Sequence, residues 1–279
     1  MSDVIGAIVG DIVGSRFEFD NYRAKDFDLF AHDCYATDDS IMTLAVAKAL
    51  VDSDGDMEKL KAIIVPTMQK VGRPYPYCGY GGHFYDWIYS KNPKPYNSYG
   101  NGAAMRVSPV AYAAEKMKAA KTEKIGDVLK KLSHIVTAVS HDHPEGLKGA
   151  EATAMATYVA MDKDVDKSIW EKQVIRAMMD VGYYKVDFKI AEVRPTYQFD
   201  ETCQKTLPVA LAAFYESTGF EDAIRNAVSV GGDSDTIAAI TGAIAGAYYG
   251  VPEDLKKEAL TFLSPELLNI YRTFENWAD

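Results

Sequence analysis

Apolar residues recur at helical spacing along almost the whole chain, whereas segments of strict alternation are scarce. In the first segment, for example, Ile5, Ile8 and Ile12 lie on one face of an α-helix. The same spacing predicts further helices over residues 41–51, 57–71, 103–120, 125–139, 147–161, 168–181, 207–217, 220–230, 236–249 and 252–274. The best strand candidate, residues 185–193, is short and fits an extended connection equally well. The sequence therefore predicts an all-α fold, a compact bundle of many helices.

No linker rich in Pro, Gly and Ser divides the 279 residues, and no repeat of solenoid period is present. We therefore expect residues 1–279 to form one domain. The longest irregular stretch, residues 72–102, is predicted to be a loop. Its many aromatic side chains argue against disorder and favour a functional loop.

Small residues recur at every fourth position in two of the predicted helices. Gly6, Gly10 and Gly14 do so near the start of the chain, and Ala238, Gly242, Gly246 and Gly250 do so near its end. Because glycine inside a helix costs about 1 kcal/mol relative to alanine, such a stripe indicates very close packing. We expect these two helices to cross each other directly in the core, although chance small residues in Ala-rich helices are the alternative.

The charge balance limits the possible partners and location of the protein. Forty acidic residues face 30 basic ones, for a net charge of −10, whereas nucleic-acid binding depends largely on Lys and Arg. Nucleic acid is therefore an unlikely partner. Three widely spaced cysteines indicate neither a disulfide scaffold nor a zinc site. The first residues lack a basic signal region, and charged residues interrupt the apolar stretch after them, so we expect a cytoplasmic protein without membrane contact.

Oxygen-bearing side chains cluster at the start of two predicted helices, as Thr37-Asp38-Asp39-Ser40 and Gly231-Gly232-Asp233-Ser234-Asp235-Thr236. Either segment alone is typical of a helix cap. Together they crowd like charges at a spacing that is unfavourable without a cation. Carboxylates and hydroxyls without Cys or His favour Mg²⁺, Mn²⁺ or Ca²⁺ over Zn²⁺. Two converging clusters could hold two ions.

Two further segments are candidates for ligand binding. Gly100-Asn101-Gly102-Ala103 opens a predicted helix, where free backbone N–H groups could bind phosphate. An ordinary glycine-rich helix entry explains this segment equally well. His141 and His143 lie between two predicted helices, where a hydrogen bond or solvent contact is more common than metal binding. His141 could also line a pocket.

Five segments, in this order, resemble the ADP-ribosylglycohydrolase family. They are GAIVGDIVGSRFE at residues 6–18, TDDS at 37–40, GNGAAMR at 100–106, SHDHPEGLKG at 140–149 and GGDSDTIAAITGAIAGAYYG at 231–250. The first and last segments together with TDDS make the resemblance highly specific, and it spans almost the whole chain.

The resemblance implies an all-α orthogonal bundle with two divalent cations, Mg²⁺ or Mn²⁺, at the bottom of an ADP-ribose cleft. It implies that Asp235 bridges the two ions, and the implied metal ligands are Thr37, Asp38, Asp39, Asp233, Asp235 and Thr236. It places Glu18 on a loop that covers the metals in some members. The implied substrate-binding residues are Gly100, Asn101, Gly102, Ala103, His141 and Gly232. Aromatic residues between positions 72 and 99 are candidates to stack on adenine, although core packing is the more common role.

Members of the family release ADP-ribose by cleaving the bond at the anomeric carbon of its distal ribose. As a hypothesis, two ions hold the vicinal hydroxyls of that ribose while an oxocarbenium-like transition state develops. Glu18 would orient or deprotonate the attacking water, or protonate the leaving group, and Asp39 could share this work.

The resemblance does not identify the acceptor that leaves when ADP-ribose is released. An arginine-directed branch has a carboxylate three residues before the loop asparagine, and Ser98 stands there in this chain. Protein side chains, nucleobases and small molecules therefore remain possible acceptors. An ADP-ribose sensor without turnover and a pyrophosphatase acting on ADP-ribose-like nucleotides are the alternative functions. We expect a monomer.

Overall fold

A computed structural model describes residues 4–118, 123–161 and 169–279, and helices are the regular elements of this part of the chain. The helices are α1 Ile5–Ser15, α2 Asp38–Ser53, α3 Met57–Gly72, α4 Gly82–Tyr89, α5 Gly102–Met105, α6 Pro109–Lys118, α7 Ile125–Thr137, α8 Pro144–Ala160, α9 Ile169–Gly182, α10 Ile190–Val193, α11 Cys203–Glu216, α12 Phe220–Val228, α13 Ser234–Tyr249, α14 Glu253–Thr261 and α15 Pro265–Ala278. The predicted all-α fold is confirmed. Residues 119–120 and Ser168, at the ends of two predicted helices, lie outside the described residues.

Helices α1 and α13 form the centre of the bundle, and every residue of α1 is buried. A Cβ atom on Gly10 would stand 2.0 Å from the carbonyl oxygen of Ala238, and one on Gly242 would stand 2.1 Å from that of Gly6. Real Cβ atoms do not approach a backbone so closely, and therefore only glycine permits this contact. The predicted direct crossing of the two helices is confirmed.

Local chemistry explains where helices begin. The hydroxyl of Thr37 caps α2 by accepting a hydrogen bond from the N–H of Asp39 at 3.2 Å. The Asp56 carboxylate caps α3 in the same way, accepting from Glu58 and Lys59.

Two predicted helices are each divided in the structure, and in both cases a proline marks the division. Residues 103–120 fall into α5 and α6, because Pro109 disfavours helical backbone at the residue before it. Residues 252–274 fall into α14 and α15, because Ser264 caps a new helix whose first residue is Pro265.

Of two irregular segments, one differs from its prediction and the other agrees with one of its two predicted alternatives. The predicted loop 72–102 contains α4, whose Phe84, Trp87 and Ile88 are buried. The strand candidate 185–193 is an extended connection that ends in the helical turn α10, and Glu192 accepts a hydrogen bond from the N–H of Lys189 to close that turn.

Most helices contribute to one continuous hydrophobic cluster that runs from α1 to α15. Within the described ranges, no helix is both long and apolar enough to cross a lipid bilayer.

The contact of α1 with α13 makes a prediction for stability. Gly10→Ala should lower the free energy of unfolding by about 3 kcal/mol, because the added methyl group meets backbone atoms that cannot move aside. Urea denaturation of the purified protein measures this change.

Gly126→Ala is the matched control, because its added Cβ meets only the Cε of Met155, at 3.7 Å. In helix α7 this change should leave stability unchanged or raise it by up to about 1 kcal/mol. Equal effects of the two substitutions would contradict the close contact.

Candidate active site

The start of α2 and the start of α13 meet beside the C-terminal half of α1. At this junction the hydroxyl of Thr236 donates a hydrogen bond to Oδ2 of Asp39 at 3.1 Å. Gly14 permits the approach, because a Cβ there would stand 2.5 Å from the Cα of Asp235. The two segments that the sequence singled out for oxygen ligands therefore converge.

Carboxylate oxygens from three helices and two loops form two triads at this junction. Asp11, Asp39 and Asp235 make one triad, and Glu18, Asp233 and Asp235 make the other, with the contributing oxygens of each triad within 4.8 Å of one another. Asp235 belongs to both. The arrangement can hold hard cations, and one buried oxygen, Oδ1 of Asp39, has no hydrogen-bond partner in the described part of the chain.

The carboxylate of Asp11 was not among the predicted site residues. It is fully buried in α1 and accepts hydrogen bonds from the N–H groups of Thr37 and Ser40, each at 3.0 Å, and from the Thr37 hydroxyl at 2.6 Å. These donors occupy both of its oxygens, so Asp11 fixes the start of α2. The sequence did contain a signal for this role, because Asp11 is the one charged residue in an otherwise apolar predicted helix.

The side chain of Asp233 does not cap the helix that follows it. Its Oδ2 instead accepts a hydrogen bond from Nδ2 of Asn101 at 2.5 Å, and the same amide group donates to Thr206. The loop at residues 100–103 is thereby attached to the carboxylate cluster. The alternative of a simple cap holds for Thr37, which caps α2, but not for Asp233.

Burial shapes the acid–base behaviour of this cluster. Removal from water, together with neighbouring carboxylates, raises the pKa of Asp38, Asp39 and Asp235 well above the usual value. Burial also raises the pKa of Asp11 to about 6 despite the hydrogen bonds that oppose the shift. For Glu18, burial and the charges of Asp233, Asp11 and Glu201 raise the pKa to about 7.

A cavity of about 200 Å³ opens above the carboxylates. The predicted site residues on its wall are Glu18, Asp38, Asp39, Gly100, Asn101, Gly102, His141, Asp233, Asp235 and Thr236. Thr37 lies behind the wall, bonded to Asp11 and Asp39. Ala103 is fully buried in α5. Gly232 is turned toward the segment after Glu18, because its N–H donates to Oδ1 of Asn21 at 3.1 Å.

The loop at residues 100–104 differs from the expected anion site in its backbone. The N–H of Asn101 donates to the carbonyl oxygen of Glu201 at 2.7 Å, and that of Gly100 donates to the Ser98 hydroxyl. The N–H groups of Ala103 and Ala104 donate within the loop itself. These N–H groups are therefore paired, because the loop pairs with the segment around Glu201 and folds back on itself, and this favours the alternative of an ordinary glycine-rich helix entry.

Aromatic and histidine rings also line the cavity. Phe84, Tyr96 and His83 line it together with His141, whose ring centroid lies 5.8 Å from that of Tyr96. Tyr77, from the same tyrosine-rich stretch, is almost fully exposed outside the cavity. The sequence did not single out Arg106 or Glu201, which also line the wall.

Comparison with known proteins finds one family and several relatives that this chain resembles. A family model described as ADP-ribosylglycohydrolase matches residues 4–276. The human protein named ADP-ribosylhydrolase ARH3 is 25% identical over an alignment that covers 86% of this chain and 79% of that protein. A protein of Pseudomonas putida (strain GB-1) named ADP-ribosylarginine hydrolase Tri1 is 28% identical over 57% of this chain, which spans 42% of that relative.

A solved structure titled ADP-ribosylglycohydrolase-related protein complex has a similar fold. Its TM-score is 0.68, with 22% identity, and the match covers 100% of this chain and 97% of that one.

The carboxylate cluster makes a prediction about pH and stability when divalent ions are chelated by EDTA. A raised carboxyl pKa means that the folded chain keeps protons that the unfolded chain releases above about pH 4. The unfolding temperature should therefore fall as the pH rises through 6 and 7, the pKa values of Asp11 and Glu18. Thermal denaturation from pH 5 to pH 8 measures this dependence.

Glu18→Gln should reduce the fall between pH 6 and pH 8, because an amide does not titrate. Glu258→Gln, at an exposed position on α14, is the control and should behave as the wild type does. A wild-type protein that becomes more stable between pH 6 and pH 8 would contradict this account.

Proposed function

Because the chain belongs to the ADP-ribosylglycohydrolase family, we propose that it hydrolyses the glycosidic bond between ADP-ribose and a modified acceptor, releasing ADP-ribose. One observation carries the proposal. Every triad carboxylate except that of Asp11 lines a single cavity, together with the loop at residues 100–102 and His141. A site for an ADP-ribosyl group needs such neighbouring elements for its sugar hydroxyls, its reacting centre and its diphosphate.

We propose that two divalent cations, Mg²⁺ or Mn²⁺, occupy the carboxylate end. The residues that would hold them are Thr37, Asp38, Asp39, Asp233, Asp235 and Thr236, with Asp235 between the two ions because it belongs to both triads. The unpartnered Oδ1 of Asp39 and the all-oxygen donor set fit such ions. When bound, cations of this kind polarise sugar hydroxyls and stabilise negative charge.

Side chains of the protein would carry out the proton transfer and orient the attacking water. Glu18 lies beside Asp233 and Asp235 at the cavity wall and is only half-buried, so its carboxylate can reach both solvent and ligand. It would accept a proton from the attacking water or give one to the leaving group. Asp39, held by Thr236 at the junction, would orient that water. Asp11 would act indirectly by holding Thr37.

The nucleotide part of the ligand would lie beside the loop at residues 100–102 and the rings near it. Gly100, Asn101 and Gly102 present little side-chain bulk there, so a diphosphate can approach the backbone closely. His83 and Tyr96 offer ring faces on which adenine can stack. Ala103 and Gly232 would contribute by shaping the loops, since neither lines the cavity.

Glu18→Gln should lower the turnover rate by about 100-fold or more while ADP-ribose affinity changes by less than about threefold. The assay uses a panel of ADP-ribosylated arginine, serine, nucleobase and acetyl substrates and identifies the products by chromatography. Glu258→Gln should keep wild-type turnover. Release of free ADP-ribose supports the proposal, whereas AMP as the product or binding without turnover would refute it.

Cation binding can be tested without turnover. After EDTA treatment, addition of Mn²⁺ or Mg²⁺ should raise the unfolding temperature of the wild type. Asp235→Asn should weaken the apparent ion affinity by at least about tenfold, because it removes a carboxylate from both triads.

Asp254→Asn, at an exposed position on α14, is the matched control and should leave the shift intact. A wild-type protein that shows no shift, and whose turnover survives chelation, would exclude the cation proposal.

A further inference from the structure

A buried arginine stands behind the histidine wall of the cavity. The side chain of Arg106 is fully buried, and its Nη2 donates to the Ser140 hydroxyl at 2.8 Å. The Phe84 ring covers the guanidinium, whose Cζ lies 5.2 Å from the ring centroid. Ser140 Oγ in turn lies 2.8 Å from Nδ1 of His141. The three polar side chains therefore form a chain that leads from the core to the cavity.

The direction of each hydrogen bond in this chain follows from its chemistry. A guanidinium has only donors, so the Ser140 oxygen accepts from Arg106. Nδ1 of His141 faces both this hydroxyl, at 2.8 Å, and Nη2 of Arg106, at 3.4 Å, and because the guanidinium can only donate, Nδ1 is an acceptor. A neutral imidazole carries one N–H group. The proton of His141 must therefore lie on Nε2.

His141 stays neutral in this position. It is 4% exposed, and burial together with the positive charge of Arg106 lowers its pKa well below the usual value. Its Nε2 lies 3.3 Å from the place that a Cβ on Gly102 would occupy and 3.6 Å from the corresponding place at Gly100. The N–H of His141 is thus directed over the loop whose own backbone donors are largely engaged.

We propose, building on the function proposed above, that Ser140 is a positioning residue. Held by Arg106, it locks His141 in the Nε2–H form, and this N–H donates a hydrogen bond to a diphosphate oxygen of the ligand above Gly100 and Gly102. An anionic oxygen fits this place because the charge of Arg106 lies directly beside the ring of His141. Most donors that the loop itself could have offered are used internally.

The tautomer can be measured directly in the full-length protein without any substrate. Correlation of ring nitrogens and protons by NMR on ¹⁵N-labelled protein at neutral pH should show His141 as the Nε2–H form. Ser140→Ala removes the shorter of the two contacts to Nδ1, leaves only the longer one with Arg106, and should therefore raise the population of the Nδ1–H form. Ser133→Ala should leave the His141 signals unchanged, because Ser133 is equally buried and its hydroxyl has no partner among the described residues. An Nδ1–H form in the wild type, or an unchanged tautomer in Ser140→Ala, would overturn the proposal.

The consequence for binding is measured by calorimetry. Ser140→Ala should weaken ADP-ribose binding by about threefold to tenfold and leave adenosine, which lacks the diphosphate, unaffected. Equal losses for both ligands, or none for ADP-ribose, would count against the proposed donor.

If Ser140→Ala does not fold, two variants of His141 replace it. His141→Gln places an amide N–H near Nε2 and should keep ADP-ribose affinity within about threefold, whereas His141→Leu should lose about tenfold. Equal affinities of these two variants would overturn the proposal.

These experiments distinguish a failure of the positioning role of Ser140 from a failure of the proposed hydrolase function. A hydrolase in which His141 carries its proton on Nδ1 would remove only the positioning role of Ser140. An Nε2–H histidine in a protein that releases no ADP-ribose would leave the positioning role intact and remove the hydrolase function.

Discussion

The contact of α1 with α13 through glycine determines where the charged groups of this protein lie. With any larger residue at Gly6, Gly10 or Gly242, the two helices would have to separate. Separation would move the start of α13, and with it Asp235, away from Asp11 and from the cap of α2. The carboxylate cluster is therefore a consequence of backbone packing, and the glycine stripe serves the site as well as the core.

The same packing places the carboxylates where they oppose folding. Their neighbours supply hydrogen bonds from Thr37, Thr236 and Asn101, yet one oxygen of Asp39 has no partner and the pKa of every clustered carboxylate is raised. Buried like charges in a medium of low dielectric repel each other strongly. A region that destabilises the fold in this way is typical of binding sites, where a ligand of opposite charge restores the balance.

The sequence predicted those features that depend on local spacing. Helical periodicity located most of the bundle, the glycine stripes identified the central crossing, and the oxygen-rich segments identified the two helix starts that meet. Features that depend on tertiary contacts were not predictable. Asp11 looked like an interruption in an apolar helix because its three donors come from residues 26 to 29 positions away. The backbone donor at Asn101 looked free because its partner, the carbonyl oxygen of Glu201, lies 100 residues further along the chain.

Arg106 and the carboxylates place opposite charges on the wall of one cavity, and under the proposed function this polarity would orient a bound ADP-ribosyl group. Arg106 keeps its charge at neutral pH, since burial lowers its pKa only to about 10. The positive charge of Arg106 would attract the diphosphate, whereas the carboxylates would repel it unless cations were present. The distal ribose would then extend from the diphosphate toward Glu18 and Asp39. Without bound cations, a reversed ligand would bring phosphate oxygens against Asp233 and Asp235, an arrangement that the charges of the wall would oppose.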